Sequence, residues 1–148
     1  MRRTLTFLAL AALCAVPALA VEDKYFNSNG VRIRYTDQGA GEPVILIHGS
    51  EVNQEHEWVE TGVLAKLVKD YRVIALDNRG HGKSGMPHDP KAYGIEMGMD
   101  VIRLMNYLQI AKAHIVGYSM GAGITAQLLA NHPERFYTAT VGGWAGSH

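Results

Sequence analysis

Apolar and polar residues alternate in two rhythms that take turns along this chain. In "YFNSNGVRIRYTDQGAGEP", residues 25–43, Val31, Ile33 and Tyr35 alternate with Arg32, Arg34 and Thr36. A period of two belongs to a strand with one buried face, and Asn29-Gly30 supplies the tight turn of a hairpin. "VILIHG", residues 44–49, is an unbroken apolar run, as expected of a strand covered on both faces. Residues 58–69 place Val63, Leu64, Leu67 and Val68 on one side of a helix. "YRVIALD", residues 71–77, reads as the next buried strand. Residues 95–109 give a second helix, with Ile95, Met99, Ile102, Met105 and Leu108 in register. "AHIVGY" at 113–118 is a strand, "MGAGITAQLLANHP" at 120–133 a helix, and "YTATVGGW" at 137–144 a last strand. Strands alternating with helices predict an α/β fold, a doubly wound and mostly parallel sheet with crossover helices.

The first twenty residues break this rhythm. A basic Met-Arg-Arg start leads into "TLTFLALAALCAVPALA", an apolar run closed by small residues at Ala18-Leu19-Ala20. This is the pattern of a secretory signal peptide cut before Val21, and the run falls short of the ~20 residues that span a bilayer. The expected product is a secreted or periplasmic domain over residues 21–148, with no stable membrane anchor. Over the whole chain 14 basic residues balance 14 acidic ones. Removing residues 1–20 takes Arg2 and Arg3, leaving a charge of −2, and takes the sole cysteine, Cys14. Such a balance points to no nucleic-acid partner, and the exported domain has no disulfide and no thiolate site. No metal-ligand spacing and no nucleotide loop stands out, so no cofactor is expected. Composition leaves the oligomeric state open.

The candidate chemistry lies between the last predicted strand–helix pair. Gly117-Tyr118-Ser119-Met120-Gly121 is G-x-S-x-G with a strand before it and a helix after it. A serine on such a turn needs neighbours without side chains, and Gly117 and Gly121 meet that need. Ser119 then stands at a helix N-terminus, whose dipole favours developing negative charge.

Together with His48-Gly49-Ser50 after "VILI", "DNRGHGKS" at 77–84 and "NHPERF" at 131–136, the elbow makes the chain resemble the α/β-hydrolase fold family from Val31 to Trp144. The resemblance implies a serine hydrolase in which Ser119 attacks a carbonyl and the backbone N–H groups of Ser50 and Met120 hold the oxyanion. Small-molecule acyl compounds are the implied substrates, esters first, then amides, lactones and C–C bonds. A serine at this position argues against the family's haloalkane dehalogenases and epoxide hydrolases, whose elbow carries an aspartate. By the same resemblance, the 77–84 segment is scaffold. Asp77 and Arg79 are expected to pair locally, Gly80 and Gly82 to sit at tight turns, and His48 and His81 to be structural.

A serine hydroxyl is a weak nucleophile until a base takes its proton. The family supplies acid and then histidine after the elbow in chain order. After "YTATVGGW" only four residues, "AGSH", remain. His56, His88, His114 and His132 read as surface residues, and His148 is not where the family puts its base. The catalytic acid and histidine are therefore expected outside this chain, in two further strand–helix units of roughly 30 residues each. The 148 residues alone are expected to be weakly active or inactive. The rival reading is a non-catalytic binding module that keeps the elbow as scaffold.

Overall fold

The computed structural model describes residues 21–143. The signal read over residues 1–20, and Trp144 and His148 at the other end, lie outside the described residues.

The elements run β1 (Lys24–Ser28), β2 (Val31–Gln38), β3 (Pro43–Ile47), α1 (Val63–Leu67), β4 (Arg72–Leu76), α2 (Ile95–Tyr107), β5 (Ala113–Tyr118), α3 (Met120–Asn131) and β6 (Phe136–Gly142). Six strands form one sheet in the order β1-β2-β4-β3-β5-β6. β1 and β2 form the antiparallel hairpin, turning at Asn29 (φ 52) and Gly30 (φ 88), and β2 runs antiparallel to β4. β3, β4, β5 and β6 are mutually parallel. The expected mostly parallel sheet with crossover helices is the one observed. Its parallel strands bring the loops after β3, β4 and β5 to one edge, where open α/β sheets place their sites.

Two apolar layers cover the sheet. On one face Ile33, Ile45, Ile74 and Ile115 pack against Met97, Val101, Leu104, Met105, Ile124 and Leu128 of α2 and α3. On the other, Val44, Leu46, Val73 and Ala75 pack against Trp58 and Leu64. β3 and β4 are buried from both sides, which explains their unbroken apolar runs.

Three sequence expectations need correction here. β2 is not half-exposed: Arg34 and Thr36 are as buried as Ile33 and Tyr35. Arg34 is carried inside by Asp23, Glu55 and Asp77, and Thr36 donates to Gln54 Oε1 at 2.8 Å. The helix expected over 58–69 is two pieces, a wide π-type turn at Glu55–Val59 and the short α1. Gly62 breaks it with a left-handed φ of 77, yet Val63, Leu64, Leu67 and Val68 still face one cluster. In α2 Ile102 and Met105 are buried as expected, together with Met97, Val101 and Leu104, and Met99 and Leu108 pack against the same cluster, but Ile95 is exposed. The helix is turned so that Asp100 faces inward to Arg79. Strand β6 is exposed from Tyr137 to Val141.

Candidate active site

Strand β5 ends at Tyr118 and α3 begins at Met120, so Ser119 alone makes the turn. Its backbone stands at φ 52, ψ −114, a conformation that costs a non-glycine residue on the order of 1–3 kcal/mol and is held only by its surroundings. The surroundings are visible. The Ser119 N–H donates to the Gly142 carbonyl at 2.8 Å, tying the turn to β6, and its own carbonyl accepts from Ala122 N–H at 2.9 Å. A side chain on Gly117 would overlap the Gly121 carbonyl and Thr125 Oγ1. One on Gly121 would overlap the Ile47 carbonyl at the end of β3. The two glycines let α3 dock on the strand ends, and so fix where Ser119 stands. Among the described residues the Ser119 hydroxyl has no hydrogen-bond partner.

The loop after β3 lies against this turn. A methyl group on Gly49 would stand 3.2 Å from Ser119 Cβ and 3.3 Å from Glu57 Oε2, so the loop packs tightly against the turn and a larger residue would push it back by a few tenths of an ångström. Gly49 N–H donates to Glu57 Oε2 at 3.2 Å. Ser50 follows, exposed at the mouth of the turn. Among the described residues neither Ser50 N–H nor Met120 N–H has an acceptor, and Met120 is the first residue of α3, where helix geometry leaves the N–H free.

His48 is fully buried, with both ring nitrogens engaged. Nε2 accepts the Asn78 backbone N–H at 2.9 Å, so the ring proton is on Nδ1, which donates to the Gly49 carbonyl at 2.6 Å. Burial pushes its pKa below the usual imidazole value. His48 is thus a neutral clamp between the loops after β3 and β4. His81 packs edge-on, 5.3 Å from it, with Nδ1 3.1 Å from the Arg79 carbonyl.

Asp77 and Arg79 do not pair with each other, contrary to the expectation. Asp77 accepts from the Gln54 N–H at 3.0 Å, the Lys83 N–H at 2.9 Å and Arg34 Nη1 at 3.3 Å. It gathers three segments beneath the site edge. Gly82, at φ 52, leaves no room for a Cβ beside that carboxylate, and Gly80 turns at φ 79. Arg79 reaches instead to α2, donating to Asp100 at 2.7 and 2.6 Å, and the hydrogen-bonded carboxylate raises its already high pKa. Sequence reasoning missed this partner, Arg34 and Glu57 because each contact is made between distant segments. The one available signal was a lone aspartate within the apolar helix 95–107.

The remaining histidines lie elsewhere. His56 and His88 are exposed, whereas His114 and His132 are half-buried. His114 is held between Thr138 Oγ1 at 2.7 Å and Glu42 Oε2 at 3.2 Å. Among the described residues no three His, Cys, Asp or Glu side chains meet as a metal-binding group. A cavity of about 830 Å³ opens between the loops after β3 and β4, lined by Glu51, Glu55, His56, Glu60 and His81 among others. It adjoins the site without being lined by Ser119.

The alpha/beta hydrolase fold family matches residues 42–141, and the chain belongs to it. It is 36% identical, over 86% of its length, to a 2-hydroxy-6-oxo-6-(2'-aminophenyl)hexa-2,4-dienoic acid hydrolase of Metapseudomonas resinovorans, of which it covers 44%. It is 39% identical, over 78% of its length, to 3-oxoadipate enol-lactonase 2 of Acinetobacter baylyi, covering 42%. Its fold superposes on epoxide hydrolase A of Mycobacterium thermoresistibile with a TM-score of 0.76 at 27% identity, over 82% of this chain and 39% of that one. The chain thus spans less than half the length of these relatives.

Proposed function

We propose that this chain carries the nucleophile half of a serine hydrolase that cleaves carboxylic esters or related acyl bonds. Ser119 Oγ attacks the carbonyl, and the tetrahedral oxyanion is received by the N–H groups of Ser50 and Met120. The acyl group is then released to water. The observation that carries the reading is the strained Ser119, φ 52, held at the strand–helix junction, where the N–H groups of Met120 and of Ser50 in the adjoining loop have no acceptor among the described residues. Such preorganised donors stabilise charge that exists only in the transition state, and removing one costs ~10²–10³ in rate. The enol-lactonase among the relatives acts, by its name, on an acyl bond. The likeness to epoxide hydrolases supports the scaffold, while the serine in place of aspartate supports acyl chemistry.

The proton acceptor is proposed to come from outside residues 21–143, since His48 is locked and no other described imidazole bonds to Ser119. That same observation favours the rival reading, a binding module without turnover. Reading 1–20 as an export signal adds that the work is done outside the cytoplasm. The test is hydrolysis of 4-nitrophenyl acetate by the full-length protein and by its Ser119→Ala variant. A loss of at least ~10³-fold in kcat is expected. Equal rates would remove Ser119 from the mechanism.

A further inference from the structure

Glu57 is the carboxylate that the fold brings to the edge of the Ser119 turn, and its position is built. Trp58, the next residue, is buried against Val44 and Leu46. Gln54 is tied to Asp77 and Thr36. Glu57 N–H donates to the Asn53 carbonyl at 3.0 Å, and Thr61 Oγ1 donates to the Glu57 carbonyl at 2.6 Å. The side chain then reaches Gly49, where Oε2 is separated from Ser119 Cβ by no more than the space of one methyl group. Oε2 accepts the Gly49 N–H, and among the described residues Oε1 has no partner.

Among the described residues no cation pairs with this carboxylate. Arg34, the buried guanidinium nearby in the same network, is shared among Asp23, Glu55 and Asp77. Lys83 is paired with Asp23 at 2.6 Å. His48 is held neutral by burial. The adjoining segment adds Glu51, Glu55 and Glu60 of the same sign.

We propose that Glu57 sets the charge preference of the Ser119 site. It favours acyl substrates that carry a cationic group near the reacting carbonyl and disfavours those that carry a carboxylate there. The inference rests on reading Ser119 as the nucleophile. The reacting carbonyl must come within about 3 Å of Ser119 Oγ and the oxyanion donors, so a charge on either side of it lies a few ångströms from Glu57. At a half-buried site a unit charge at that range shifts kcat/KM on the order of tenfold.

The test uses the full-length protein and two 4-nitrophenyl esters of similar size, the anionic hemisuccinate and a cationic trimethylammoniobutanoate. The readout is the ratio of their kcat/KM values, which cancels the fraction of folded enzyme in each variant. In the unaltered protein the cationic ester is expected to be preferred by about tenfold or more. Glu57→Gln, which keeps an acceptor for Gly49 N–H, is expected to lower the ratio about tenfold, and Glu57→Lys to invert it. A ratio that stays within twofold in both variants, with Ser119→Ala inactive on both esters, overturns the role of Glu57 and leaves the nucleophile standing. Undiminished hydrolysis of both esters by Ser119→Ala overturns the two together.

Discussion

His48 Nε2 accepts the backbone N–H of Asn78 at 2.9 Å, joining the loop that carries Ser50 to the loop that carries Asp77 and Arg79. The ring must stay neutral to accept, and burial holds its pKa below the unfolded value of about 6.5. The unfolded chain therefore binds a proton that the folded one refuses. Stability is fully present above about pH 6.5 and is lost as the pH falls toward the folded pKa. His48→Gln keeps a donor and an acceptor but does not titrate. It is expected to flatten the fall of the unfolding free energy between about pH 7 and pH 5, by up to ~1.4 kcal/mol per pH unit, as read from urea midpoints. Parallel slopes for the two proteins would contradict the neutral clamp.

Two glycine-to-alanine changes are expected to act in opposite directions. Gly121→Ala drives a methyl into the Ile47 carbonyl, which is backbone and cannot swing away. A loss of about 3 kcal/mol or more is expected, at the upper end of overpacking costs. In Gly98→Ala on α2 the methyl meets Gln127 and Leu128 at 3.4–3.5 Å, ordinary contact. It should gain ~0.5–1 kcal/mol from helix propensity. Urea midpoints of the two variants decide both.

Arg79 and Asp100 form a buried pair, each about 1–2% exposed. Removing one partner leaves the other only a longer ionic contact, Arg79 with Glu96 or Asp100 with Arg103, each at 3.8 Å, and should cost up to ~3–5 kcal/mol. Asp100→Ala is therefore expected to cost that much, and Arg79→Met combined with Asp100→Leu to recover most of it. A double variant as unstable as the single one would show that the pair does more than neutralise itself.

What could be read from the sequence, and what could not, divides by range. The elbow was legible because its parts are neighbours: Gly117, Ser119 and Gly121 must crowd one another whatever the rest of the chain does. The hairpin at Asn29-Gly30 and the buried strands β3 and β4 were legible for the same reason. Arg34 was not. An alternating arginine looks like a solvated face until Asp23, Glu55 and Asp77, brought from three other segments, surround it. Asp77 and Arg79 lie two residues apart and invite pairing, yet each finds a better partner across the fold. Glu57 gives no sign in the sequence that its segment turns back onto Gly49.

The open edge at β6 has a consequence of its own. Tyr118, Tyr137 and Val141 are each about half exposed, and one side of β6 pairs with β5 while the other has no strand partner among the described residues. Unpaired strand edges and apolar patches template association. Residues 21–148 produced alone are expected to bind ANS and to elute as aggregate in size-exclusion chromatography. A monomer with a single cooperative melt would show that this surface needs no cover.

The central claim is that Ser119 is a nucleophile, and covalent capture tests it most directly. The full-length protein is treated with a fluorophosphonate and its peptides are analysed by mass spectrometry. The account predicts one phosphonyl group on the peptide containing Ser119, and no stoichiometric labelling of Ser119→Ala. An unlabelled Ser119 in the folded protein, or equal labelling of the alanine variant at another residue, would contradict it.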